Sequence, residues 1–215
     1  MKVNSTVLLT VSLFALAACS SSDGGSGGGG GGGGEISQGI FEQELPTAEE
    51  LAGLPQEAQD FVAAWDDLNQ NGTEERPNAD ATYAGSVGFA VESGTAEDNT
   101  LVFGDISLAA DFTGDIITGS MTNLSAFDSE TPPEGAALGG QLDLSNGAIT
   151  DSRYTADFGG DLTLDDNGDV ETFSVAGDLE GAFAGTQTLG VLTGTVTEGP
   201  VVDQIDGIFL ADQQP

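Results

Sequence analysis

From Thr82 to the end of the chain, apolar residues tend to fall on alternate positions, interrupted at short intervals by Gly, Asn and Asp. That two-residue period belongs to strands with one face turned to a core. It predicts strands near 82–92, 100–112, 115–127, 137–145, 148–165 (broken by a turn or bulge), 170–184, 187–197 and 203–211. Val175, Gly177, Leu179, Gly181 and Phe183 share one face, while Asp178 and Glu180 take the other. Ile205, Gly207 and Phe209 likewise oppose Asp206. A wall with acids outside and apolar groups inside faces water, since a membrane-spanning barrel inverts the pattern. Asn146-Gly147 and Asn167-Gly168 predict hairpin turns, because both residue types tolerate positive φ. Ala110–Asp115 is echoed by Ala156–Asp161, as expected of repeated hairpins.

No helix alternates with these strands, which excludes parallel α/β architectures. Short connections imply a meander, and about eight uncovered strands must close on themselves or leave sticky edges. The predicted fold is therefore all-β: an antiparallel up-and-down barrel of about eight strands over residues 81–215. Its interior is expected to be filled by side chains, with the interleaved glycines as notches that receive Phe and Leu from facing strands.

Residues 35–80 read as a helical segment. Thr47 and Glu50 have the spacing of a capping box, and Pro55 restarts the chain. Ala58, Phe61, Val62, Trp65 and Leu68 then follow a 3.6-residue period from Gln56 to Leu68, stopped by Asn69-Gln70-Asn71-Gly72. The Phe61–Trp65 face is expected to lie on the barrel or to plug one end.

The first residues have a different grammar. Lys2 precedes an apolar stretch, Val7 to Ala15, broken only by Thr10 and Ser12 and too short to span a bilayer. It ends in Leu16-Ala17-Ala18-Cys19, which resembles the lipobox of bacterial lipoproteins. The resemblance implies removal of residues 1–18 as a signal peptide, a diacylglyceryl group on the Cys19 sulfur, and acylation of the new amine. Three acyl chains anchor a protein effectively permanently. An ordinary secretory signal is the plainer alternative, but Cys19 is the one Cys of the chain and stands at the cleavage position. Ser20 rather than Asp at the next position implies the outer membrane, with surface exposure favoured over the periplasm. Residues 20–34 are nearly all Ser and Gly, a random-coil tether spanning roughly 20 Å.

Charge narrows the partners. The chain carries 36 acidic residues against 3 basic ones, a formal charge of −33. Cleavage would remove Lys2 and leave Arg76 and Arg153. Such a chain repels phosphate backbones and anionic lipid, so nucleic acid is excluded as a partner. A basic or cation-rich partner fits, as does plain solubility in salty water. A monomer is expected.

The candidate chemistry is thin. With no His, the usual general base and metal ligand are missing, and paired carboxylates are expected by chance among so many acids. The reading is non-enzymatic, with no cofactor. Tyr83, Tyr154 and Met121 are the conceivable haem ligands, though Tyr in a strand is ordinarily packing. Asp67, Asn69 and Asn71, with Gly72, match the first half of a calcium-binding EF-hand loop. Asn78 stands where a bidentate Glu is needed, so the stretch reads first as a helix stop and second as a calcium candidate. Asp165-Asp166-Asn167-Gly168-Asp169 is likewise a charged hairpin before it is a cation site.

Gly181-Ala182-Phe183-Ala184-Gly185, followed by Leu189-Gly190 and Thr193-Gly194-Thr195-Val196, is similar to the Gly-x-Phe-Tyr-Gly-Pro … Leu-Gly-Gly-x-Phe signature of transferrin-binding protein B barrel domains. Ile205-Asp206-Gly207-Ile208-Phe209-Leu210-Ala211 is similar to their Gly-x-Phe-x-Ala ending. The likeness spans roughly residues 81–212; the Tyr and Pro after Phe183 are missing and Val191 replaces a glycine. It implies a surface lipoprotein that captures a ligand or protein partner, plausible for iron or haem acquisition, and it carries over no ligand-contacting residue. The alternative is a structural or shielding coat protein without a specific ligand. Cys19→Ser is expected to move the chain from the detergent phase to the aqueous phase of a Triton X-114 partition; retention in detergent would refute the lipid anchor.

Overall fold

The computed structural model describes residues 39–41, 43, 45, 55–92, 100–128, 135–166, 169–198 and 201–215. Cys19, the glycine tether, the Thr47–Glu50 box and Asn167-Gly168 lie outside them. The described residues form one helix, α1 (Gln56–Asn71), and nine strands. These are β1 (Ala81–Glu92), β2 (Thr100–Asp111), β3 (Ile116–Asp128), β4 (Ala136–Gly140), β5 (Leu142–Thr150), β6 (Arg153–Asp166), β7 (Asp169–Ala184), β8 (Gln187–Glu198) and β9 (Val201–Gln213).

Consecutive strands pair antiparallel, β3 reaching β6 through both β4 and β5, and β9 returns to pair with β1 from Tyr83↔Gln213 to Glu92↔Gln204. The sheet is thus a closed ring of hydrogen-bonded strands with eight positions, one of them divided. The division falls at Gly140, whose φ of +96° bends the chain between β4 and β5.

The expected hairpin at Asn146-Gly147 is not there. Both residues sit within β5, where the register with β6 shifts between Ser145 and Ala148, and the turn falls instead at Asp151-Ser152. Asn146 does adopt the left-handed conformation, φ 51°. Some β-bulges use that conformation as hairpin turns do, so the tolerance of Asn146 for positive φ serves a bulge here and not a turn.

The interior is filled. Tyr83, Tyr154, Phe183, Phe209, Met121 and Leu179 are each less than 2% exposed or at that limit. The glycines make this possible. Tyr154 stands opposite Gly181, Phe158 opposite Gly177, Phe209 opposite Gly190 and Phe89 opposite Gly207. The first three rings lie over their glycines: a Cβ at Gly177 would come within 2.6 Å of Phe158 Cζ, and one at Gly190 within 2.5 Å of Phe209 Cζ. Real Cβ atoms do not approach so closely, so the notches must stay empty for the rings to lie flat across the core. At one end the Tyr154 and Phe183 rings meet at 4.8 Å, with Phe112 edge-on to Phe183 at 4.9 Å.

The helix extends three residues beyond the predicted Leu68 and lies on the outer wall rather than plugging an end. Phe61, Val62 and Trp65 pack on Ala182, Leu189 and Ile208, and Trp65 Nε1 donates to Gly190 O at 3.1 Å. This corrects the expectation of a wholly acidic outer face: on β8 and β9 both faces are apolar because α1 covers one of them.

Two tyrosines differ in an instructive way. Tyr154 Oη meets Thr188 Oγ1 at 2.7 Å, and Thr188 in turn donates to Ala182 O. Tyr83 Oη is buried with no partner among the described residues. Tyr83→Phe is expected to raise the melting temperature, Tyr154→Phe to cost about 1 kcal/mol, and Leu179→Ala about 3 kcal/mol. Denaturant unfolding checks all three.

Candidate functional site

The ring has two unlike ends. Tight turns at 112–115, 151–152 and 185–186 mark one; the strand ends at Glu92, Thr100, Asp128, Ala136, Asp166, Asp169, Glu198 and Val201 mark the other. The chain enters at the tight-turn end. Phe41 N donates to Asn69 Oδ1 at 2.8 Å and Asn69 Nδ2 returns a bond to Phe41 O. Arg153 donates to Ile40 O, pairs with Glu74 at 2.6 Å, and lays its guanidinium 5.4 Å from the centre of the Phe41 ring. Arg76 pairs with Asp115, donates to Phe112 O and covers the Phe112 ring. Both arginines of the chain thus fasten residues 39–41 and 74–80 to this end, while their side chains stay 34% and 50% exposed.

The calcium candidate does not assemble. Asp67, Asn69 and Asn71 are all helical; Asn69 turns inward to clamp Phe41, and Asp67 Oδ1 accepts from Asn71 Nδ2 at 2.9 Å on the exposed side. Residues two apart on a helix point to different faces, so a loop-type ligand set cannot converge. Among the described residues no group of three or more acidic or thiol side chains is placed to hold a metal. Tyr83, Tyr154 and Met121 are core residues sealed from any haem. Burial pushes the Tyr83 hydroxyl up to about 12 and drives that of Tyr154 upward as well.

What remains accessible is the outer wall. Asp157 and Asp178 are direct cross-strand partners, and Thr193 separates Asp178 from Asp206 along the same row. Like charges opposed in this way destabilise a sheet. Asn146 Nδ2 relieves part of the strain by donating to Asp157 at 2.6 Å.

Two depressions open on the outside. One, of about 190 Å³, lies between Phe41, Arg153 and Glu180. The other, of about 250 Å³, runs between the first turn of α1 and the outer face of β2 and β3. Pro55, Glu57 and Phe61 form one side, Phe103, Asp105 and Phe127 the other. The Phe103 and Phe127 rings meet edge-on at 5.9 Å, and Asn123 Nδ2 holds Asp105 at 2.7 Å. Sequence reasoning missed these residues. The available signal was the unbroken apolar run Leu101-Val102-Phe103, which breaks the alternation where the outer face is apolar too.

No protein-family model matches this chain, and no characterised protein matches its sequence.

Two carboxylates respond oppositely to pH. Hydrogen bonds from Arg153 hold Glu74 below the ordinary carboxylate range, against a smaller opposing effect of burial. Desolvation, aided by the nearby Glu92 charge, raises Asp206. The Glu74 contribution is therefore present at neutral pH and lost as pH falls through its lowered pKa. The Asp206 penalty is present at neutral pH and gone below about pH 3.8, where the group is protonated folded or unfolded. Glu74→Gln should lower the melting temperature at pH 7 and Asp206→Asn should raise it, both differences closing in acid.

Proposed function

We propose that this chain is an outer-membrane lipoprotein, tethered through lipid on Cys19, whose strand ring is a rigid, non-catalytic scaffold for capturing a partner protein. The observation that carries this reading is the sealed interior combined with the polarity of the ring. A core filled by Tyr154, Phe183 and Phe209 leaves binding to the outer wall and the loops. Arg153 and Asn69 fasten Ile40 and Phe41 at the tight-turn end, which leaves the opposite ends of the strands clear of this attachment among the described residues.

The likeness to transferrin-binding protein B barrels supports the same reading. Gly181, Phe183 and Gly190, which carry it, are the ring-and-notch positions of β7 and β8, so the likeness is one of packing. With Tyr83, Tyr154 and Met121 enclosed, a part in iron or haem acquisition would run through capture of a carrier protein rather than ligation of haem by this chain.

Proteinase K added to intact cells is expected to remove the chain without lysis, and iron restriction to raise its abundance. Protection until the outer membrane is permeabilised would overturn surface exposure, and unchanged abundance would remove the link to iron.

A further inference from the structure

We infer that the groove between α1 and the outer face of β2 and β3 accepts a lysine or arginine side chain of a basic partner protein. This rests on the capture reading for its biological setting and names the chemistry of the partner. The groove, about 250 Å³, is smaller than the roughly 300–1,000 Å³ of small-molecule sites, and its size suits a single inserted side chain.

Its walls have the chemistry of a cation receptor. Phe103 and Phe127 are half-buried on the outer wall, so their rings are both held and partly open. A π face attracts an ammonium or guanidinium group, more strongly as water is excluded. Phe103 is fixed in place because its ring lies over Gly88, where a Cβ would meet its Cε1 at 2.7 Å. Carboxylates flank the rings on both sides, Glu57 from the first turn of α1 and Asp105 from β2. Asp105 is oriented by Asn123, which takes φ 52° at the bulge opposite Gly104. Among the described residues no cation reaches these acids, since Arg76 and Arg153 are bound at the tight-turn end. The formal charge of −33 steers basic partners toward the surface, and the aromatic pair selects where their side chains seat.

The test must separate the groove from the general field. The full chain carrying Cys19→Ser is titrated against a fluorescein-labelled peptide of alternating lysine and glycine at 0.15 M NaCl, read by anisotropy. Phe127→Leu keeps the charge and most of the apolar volume but removes the ring; it should weaken binding about 3- to 30-fold. Phe127→Trp should restore or improve it. Glu57→Gln with Asp105→Asn should weaken binding more than Asp161→Asn with Asp178→Asn, which removes the same charge elsewhere on the wall. Equal loss from the two pairs, or wild-type affinity in Phe127→Leu, would show attraction by the field alone and overturn the assignment. So would an absence of binding by the wild-type chain. The shaving experiment on cells reads location only, so its failure leaves this result standing.

Discussion

Closing a sheet on itself sets the terms for everything else in this protein. A ring of eight positions removes every edge but encloses a space that must be filled from within. Here the filling is done by rings laid across the sheet above glycines on the adjacent strand: Tyr154 over Gly181, Phe158 over Gly177, Phe209 over Gly190. Glycine weakens an isolated strand, having no side chain to pack and the largest entropy to lose. In this ring the missing Cβ is what admits the neighbouring ring, so strands rich in Gly are stable as a set and not one by one. The same arrangement seals the interior, which is why the tyrosines and Met121 are structural and why any ligand must be met on the outside.

The outside is shaped by a shortage of cations. With Arg76 and Arg153 as the only bases past Lys2, the ion pairs among the described residues lie at a single end. Each arginine works several ways at once, pairing with a carboxylate, donating to backbone carbonyls and covering a Phe ring. On the remaining wall, acids are accommodated by amide and hydroxyl donors: Asn123 to Asp105, Asn146 to Asp157, Ser174 to Asp161. These neutral donors orient carboxylates without cancelling their charge, so the outer field stays strong and available to a partner.

Much of the fold was legible in the sequence because one face of most strands is core and the other is water. Where that holds, as along Val175–Phe183, the two-residue period located strand, face and register. It failed where a third element intervened. Leu189, Val191, Ile208 and Leu210 point outward under α1, and periodicity along a single strand cannot register a helix whose Trp65 reaches Gly190 from 125 residues away in sequence. Asn146-Gly147 misled for a different reason: positive φ is a local property, and whether it makes a hairpin or a bulge depends on the register of the neighbouring strand. Asn69-Gln70-Asn71-Gly72 signals a helix stop because such residues end helices. The helix runs through it because the Asn69 amide gains two bonds from Phe41, 28 positions earlier. The groove was invisible for the same reason, since Phe103 and Phe127 meet only across paired strands and beneath a helix.

The outer wall is therefore not uniform. Over β7, β8, β9 and β1 its apolar patch is covered by α1, which the Phe41–Asn69 clamp and the Trp65 bond to Gly190 hold in place. Over β2 and β3 the aromatic surface continues past the helix edge, from Phe61 to Phe103 to Phe127, with carboxylates on either side. A single helix too narrow to cover the whole apolar stripe leaves a step at its first turn. Such a step is costly to leave bare in a solitary molecule, and in a strongly acidic one it is a place where a basic side chain gains from the ring face and from charge together. The geometry that stabilises the fold on one side of α1 is thereby the geometry that presents a receptor on the other.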